Sequence, residues 1–225
     1  MLVHSVLFDG FDPLDVIAPY EVLHCAGMLT EGAVRVELVS AEGAREVPSG
    51  LAAVSLRATA ALDPARADVI VLPGAVGDLR DPTGLGEAER ARTIPGILRR
   101  AVDTDLTRLV GAALTRPDTL VTAVCGGSLL LAMAGLITGR SVNSHDLGRE
   151  LLTATGAEHV DARVVDDGDL ITSGGVTSGL DLALYLVERE IGPRVARAVE
   201  RIFAHERRGT VWSAAGAAPA LALPF

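Results

Sequence analysis

The sequence predicts an α/β fold, a mostly parallel sheet covered by helices on both faces, and three observations predict it. Short apolar runs rich in β-branched residues recur along the chain, most of them bounded by Gly, Pro, Ser or Asp, as buried strands are. Segments with helical spacing lie between these runs, and alternation of strand with helix favours parallel strands joined by helical crossovers. The chain has 225 residues, 49% apolar and 22% charged, which supplies a two-sided core and argues against disorder.

Taken in order, strands are predicted at residues 3–8, 34–39, 69–72, 120–124 and 170–172, with a further strand or hairpin within 48–63. Helices are predicted at 14–26, 87–110, 127–134, 147–155, 176–191 and 195–204. The stretch 74–86 is rich in Gly, Pro and Asp and reads as a loop above the sheet. With no repeat and no linker, one domain spans 1–225, with a core of about 2–205 and a weakly patterned tail, 206–225.

Charge and composition exclude several function classes. Against 20 basic residues stand 29 acidic ones, a net charge of −9, which disfavours a phosphate-tracking surface and favours small or neutral partners over nucleic acid. No window holds the roughly 18 continuous apolar residues of a membrane span. The N-terminus lacks a basic region and reaches Asp9-Gly10 too early for a signal peptide. Cys25 and Cys125, the two cysteines, lie far apart and suit a reducing compartment, so a cytoplasmic protein without a membrane partner is expected.

In open parallel sheets the ligand crevice lies beyond the carboxyl ends of the strands. That rule selects residues 9–15, Pro73-Gly74-Ala75, Cys125-Gly126-Gly127 and Ser173-Gly174-Gly175. The third is a buried-looking strand, then Cys, two glycines and an apolar helix: an elbow that holds a nucleophile on a tight turn. The following helix N-terminus is expected to lower the Cys125 pKa. A buried, inert cysteine is the competing reading, and the flanking glycines weigh against it.

VTAVCGGSLLLAMAGLITGR, with PLDVIAPYEVL near the start, VLPGA in the middle and ITSGGVTSGLDLAL later, resembles the ThiJ/PfpI superfamily, nearest its isonitrile hydratase-like branch, over roughly residues 2–192. The resemblance implies a flavodoxin-like three-layer α/β/α sandwich, a homodimer, and a carboxylic partner for the cysteine, here Asp15. Proximity to a thiolate and burial would raise the pKa of Asp15 and let it move a proton; capping the following helix is its other reading. Many relatives carry a His where this chain has His145, a thiolate partner or proton relay if not a surface residue of a turn. Backbone N–H groups of Gly126 and the Gly74-Ala75 turn are candidates for an oxyanion hole, and Gly174 and Gly175 are expected to line the pocket. The apolar face of helix 14–26, with Pro19 and Tyr20, is the expected dimer contact, and residues 76–86 and the Trp212 region are expected to set selectivity. Leu221 to Phe225 are a candidate cover for the pocket mouth.

Two positions depart from the family pattern. Gly126 stands where protease-like members carry His, which argues against peptidase activity, and where isonitrile hydratases carry a Thr whose hydroxyl is implicated in the reaction. The remaining histidines, His4, His24, His159 and His205, read as structural or exposed, with no metal-binding spacing, and Asp181 as a helix-start charge. The expectation is a cysteine-dependent, cofactor-independent hydratase or lyase acting on a small electrophile, first an isonitrile. A glyoxalase-type conversion of 2-oxoaldehydes is one alternative, and a ligand- or redox-sensing module another. The branch also resembles N-terminal domains of AraC-type regulators, but only about twenty residues follow the last predicted helix here, too few for a helix-turn-helix domain.

Overall fold

The computed structural model describes residues 1–216. Its strands are β1 (Leu2–Leu7), β2 (Arg35–Ser40), β3 (Arg45–Pro48), β4 (Ser55–Ala58), β5 (Ala60–Ala61), β6 (Val69–Leu72), β7 (Leu120–Val124), β8 (Ser141–Val142), β9 (Glu158–His159), β10 (Val164–Asp166), β11 (Leu170–Ser173) and β12 (Trp212–Ser213). The helices are α1 (Pro13–Leu29), α2 (Glu87–Arg90), α3 (Ile94–Val102), α4 (Asp105–Leu114), α5 (Gly127–Met133), α6 (Arg149–Ala154), α7 (Ser178–Glu190) and α8 (Pro193–Phe203).

Eight strands form one sheet in the order β12-β10-β11-β7-β6-β1-β2-β5, parallel throughout except where β10 meets β11. The fully buried β6 and β7 lie at its centre, covered on both faces, and the one hydroxyl among them, that of Thr122, donates to Ile70 O at 3.1 Å. One face packs against α3, α4, α5 and α6 through Leu98, Leu106, Leu130 and Leu152, the other against α1, α7 and α8 through Val22, Leu186 and Val199. This is the three-layer sandwich the sequence predicts.

The departures are local. The predicted helix 87–110 is three helices, because Pro95 has no N–H to continue a ladder and Thr93 caps a fresh start, accepting the Gly96 N–H at 3.2 Å. Thr104 does the same for α4, accepting from Leu106 N–H at 3.3 Å. Residues 48–63 do hold hairpin chain, but β3 begins earlier, at Arg45. The short β8, β9, β10 and β12 lack a run long enough to signal a strand, and they gain their partners only in the folded chain.

The sheet reverses its winding between β1 and β6, and there the loops following the two strands run side by side. Asp12 N–H donates to Gly74 O at 3.0 Å and Val76 N–H to Gly10 O at 3.2 Å, an antiparallel pairing of Phe11 with Ala75. Because the pair exchanges its bonds through the neighbouring residues, the Ala75 N–H is left pointing away from Phe11. That switch point, next to the end of β7, is where a ligand crevice is expected.

Candidate active site

Cys125 follows β7 with φ 56°, a left-handed conformation that a non-glycine residue adopts only when its surroundings hold it there. Here they hold both sides of the peptide. The Cys125 N–H donates to Ser173 O at 3.1 Å and Gly174 O at 3.0 Å, while its carbonyl accepts from the hydroxyls of Ser128 at 3.2 Å and Ser144 at 3.0 Å. Ser144 is fixed in turn by Asn143, whose side-chain oxygen accepts the Ser144 N–H at 2.7 Å. Gly127 lets α5 start against β6: a Cβ there would lie 2.5 Å from Leu72 O.

Asp15 lies in the first turn of α1, wholly buried, beside the Cys125 thiol. It does not cap the helix; Asp12 does, accepting the Leu14 N–H at 3.0 Å. Burial pushes the Asp15 carboxyl up to about 8, helped by the charge of Asp12 and opposed by the Gly74 N–H, which donates to Oδ2 at 2.9 Å, and by the thiol. Its Oδ1 is buried without a partner among the described residues. Burial and then Asp15 likewise push the Cys125 thiol up, against the pull of the Gly126 N–H. This reverses the expected lowering: α5 has only seven residues and its end effect does not outweigh desolvation beside a carboxyl. Burial thus biases both groups towards their protonated forms, Cys–SH beside COOH.

Cys125 is 6% exposed and opens onto a cavity of about 390 Å³ also lined by Ala75, Gly126, Ser144 and His145. Of the predicted oxyanion donors, the structure sorts one away. The Gly74 N–H is occupied by Asp15, whereas the Ala75 N–H donates to no acceptor among the described residues and the Gly126 N–H faces the Cys125 sulfur. The two residues are close neighbours, since a Cβ on Gly126 would sit 3.8 Å from Ala75 N. Gly74 keeps a structural role: a Cβ there would reach within 2.5 Å of Gly126 N and 2.9 Å of Asp15 Oδ2.

His145 lines the same cavity as Cys125. Its Nδ1 accepts the Leu147 N–H at 3.2 Å, so the neutral ring carries its proton on Nε2 as a donor. Gly174 and Gly175 lie behind the wall, Gly174 accepting from Cys125 and Gly175 packed under the His145 ring, and neither lines the cavity. Trp212 is also away from it, in the edge strand β12, and Leu221 to Phe225 lie outside the described residues. Ser144 and Ser128 escaped sequence reasoning, because a lone serine carries no signal until the fold places it on the elbow. Asp181 is structural as expected, bound to Arg163 at 2.6 Å.

The DJ-1/PfpI family model matches residues 2–189. The chain belongs to the DJ-1/PfpI family. A DJ-1/PfpI protein of Pseudomonas syringae, solved as a ThiJ/PfpI family protein, superposes with a TM-score of 0.71 at 25% identity, covering 92% of this chain and 76% of that one. Over 80 residues the chain is 45% identical to the isonitrile hydratase of Pseudomonas putida, 36% of this chain and 35% of that protein. Over 137 residues it is 28% identical to protein DJ-1alpha of Drosophila melanogaster, 60% of this chain and 53% of that protein. The matches thus span from 35% to 53% of the length of these two curated relatives. No helix among the described residues is long and apolar enough to cross a membrane.

Proposed function

We propose that this DJ-1/PfpI protein is a cofactor-independent cysteine enzyme of the hydratase or lyase class, in which the Cys125 thiol adds to an electrophilic carbon of a small molecule. One observation carries the reading: a cysteine in a strained left-handed turn, beside a buried carboxylic acid, opens onto a cavity that Ala75 and Gly126 also line. Strain of this kind is retained where function needs it.

In the addition step the sulfur bonds to the carbon, and Asp15 takes the thiol proton on one oxygen as it passes its own onward to the substrate. The Ala75 and Gly126 N–H groups stabilise negative charge developing on the substrate, with His145 Nε2–H as a further donor. Water then adds to the same carbon and the C–S bond breaks, returning the thiol. For an isonitrile the net change is R–NC plus water to an N-substituted formamide. A 2-oxoaldehyde is the second substrate class, and it too becomes bound as a sulfur adduct at carbon.

The protein should turn over alkyl isonitriles or 2-oxoaldehydes, and Cys125→Ala should lose at least about a thousandfold in kcat/KM, in line with loss of a covalent nucleophile. Activity retained in a folded Cys125→Ala protein would sink the mechanism. A cytoplasmic homodimer completes the proposal, with a second copy on the outer face of α1. Pro19 does not belong to that contact, since it is buried against Gly179 of α7; the outward residues are Leu14, Tyr20, Met28 and Leu29.

A further inference from the structure

The cavity above Cys125 has two kinds of surface beyond the reacting atoms. Its walls are aliphatic, with Val76, Ile94, Leu129 and Val176, and no Phe, Tyr or Trp among the described residues lines it. Leu79 and Leu147 also line it yet are 73% and 75% exposed, so they stand at its open end. Large apolar side chains held in water beside a cleft gain by covering an apolar ligand.

The charged lining is one-sided. Three aspartates, Asp12, Asp78 and Asp81, face it with one arginine, Arg80. Arg80 is already bonded to Asp78 at 2.6 Å and to Glu89 at 3.3 Å. Asp12 is held by the Leu14 N–H at 3.0 Å and Asp81 by the Thr83 N–H at 2.7 Å and the Thr83 hydroxyl, and neither pairs with a cation among the described residues. A carboxylate entering this cleft would approach uncompensated like charge between low-dielectric walls and find no free cation to receive it.

We infer that the site takes uncharged or cationic electrophiles with an aliphatic substituent and turns carboxylates away, the aspartate collar setting the charge and Leu79 and Leu147 holding the substituent. The inference rests on the Cys125 reading and narrows its substrate class. Simple alkyl isonitriles, alkyl 2-oxoaldehydes and their amine-bearing analogues fall inside; 2-oxo acids and other carboxylated electrophiles fall outside.

The test needs no substrate. In a Cys25→Ser background, labelling of Cys125 is followed by mass spectrometry with iodoacetamide, iodoacetate and 2-bromoethylamine. Each rate is divided by the reagent's rate with 2-mercaptoethanol at the same pH, which removes intrinsic reactivity. The expected order is bromoethylamine at least equal to iodoacetamide, with iodoacetate slower by roughly tenfold. High salt should narrow that gap, as should Asp78→Asn, which removes one carboxylate and leaves Arg80 paired with Glu89 alone, and independently Asp81→Asn in the exposed loop. N-alkylmaleimides from methyl to hexyl should react progressively faster, and Leu147→Ala should flatten the series. Equal normalised rates for the three charged and uncharged reagents, or a maleimide series flat in the unsubstituted protein, would overturn the inference while leaving Cys125 a reactive thiol. Failure of every reagent to label the folded protein would overturn the cysteine reading, and this inference with it.

Discussion

Two buried acids in contact define the chemistry at the level of single residues. Asp15 was legible in the sequence as the family's carboxylic partner, and burial gives it the raised pKa of about 8 that a proton relay near neutrality needs. The direction for Cys125 was not legible, because a helix start is visible in sequence whereas desolvation depends on what packs around the sulfur. Alkylation of Cys125 should be slow at pH 7 and still rising above pH 9. Above pH 8, where Asp15 carries its charge, Asp15→Asn should speed alkylation while abolishing turnover; slower alkylation in the variant would contradict the like-charge account. The same group affects stability. Its folded-state pKa lies above the unfolded value of 3.8, so the folded chain binds the extra proton, and the stability contribution present below about pH 4 is lost as pH rises towards 8. Asp15→Asn should therefore raise the melting temperature more at pH 8 than at pH 5, as calorimetry at the two values would show. Ser144 acts through the Cys125 carbonyl and is a positioning residue. Ser144→Ala should lower kcat with little change in KM, and Ser144→Thr should restore part of the loss.

At the scale of elements, the elbow depends on how closely β6, β7 and α5 approach. The two glycines after Cys125 look equivalent in sequence but have opposite tolerances. A Cβ on Gly127 would meet the Leu72 and Pro73 carbonyls at 2.5 and 3.0 Å, whereas one on Gly126 would meet nothing nearer than 3.5 Å. Gly127→Ala should cost about 1–3 kcal/mol in denaturant unfolding. Gly126→Thr should fold with nearly unchanged stability and, by restoring the hydroxyl that isonitrile hydratases carry there, should raise isonitrile turnover relative to 2-oxoaldehyde turnover. A folded Gly126→Thr protein with unchanged substrate preference would count against the isonitrile reading. The predicted single helix 87–110 failed because apolar periodicity persists across Thr93 and Thr104, while Pro95 and the two threonine caps break the helical ladder locally.

For the whole molecule, the outer side of α1 carries exposed apolar residues at its two ends, with Glu21 and His24 between them. The inner side packs on the sheet and α7, while Leu14, Met28 and Leu29 remain 46%, 66% and 45% exposed, more than a surface helix usually shows to water. If the proposed dimer forms through α1, Leu14→Asp combined with Met28→Glu should lower the mass in light scattering to that of a monomer without loss of helical circular dichroism; an unchanged dimer mass would remove α1 as the contact. The sequence by itself determined the layered α/β architecture, the four strand ends that build the site and the cysteine on its elbow. Each of these follows from local pattern: apolar period, turn residues and a run of glycines that only close backbone approach requires. Tertiary structure alone decided that Gly74 serves Asp15 and Ala75 faces the cavity, that Gly174 and Gly175 lie behind its wall, and that the thiol rests protonated. Those outcomes depend on which backbone groups remain unpaired and how much water is excluded once distant segments meet, and neither quantity is a property of any one stretch of chain.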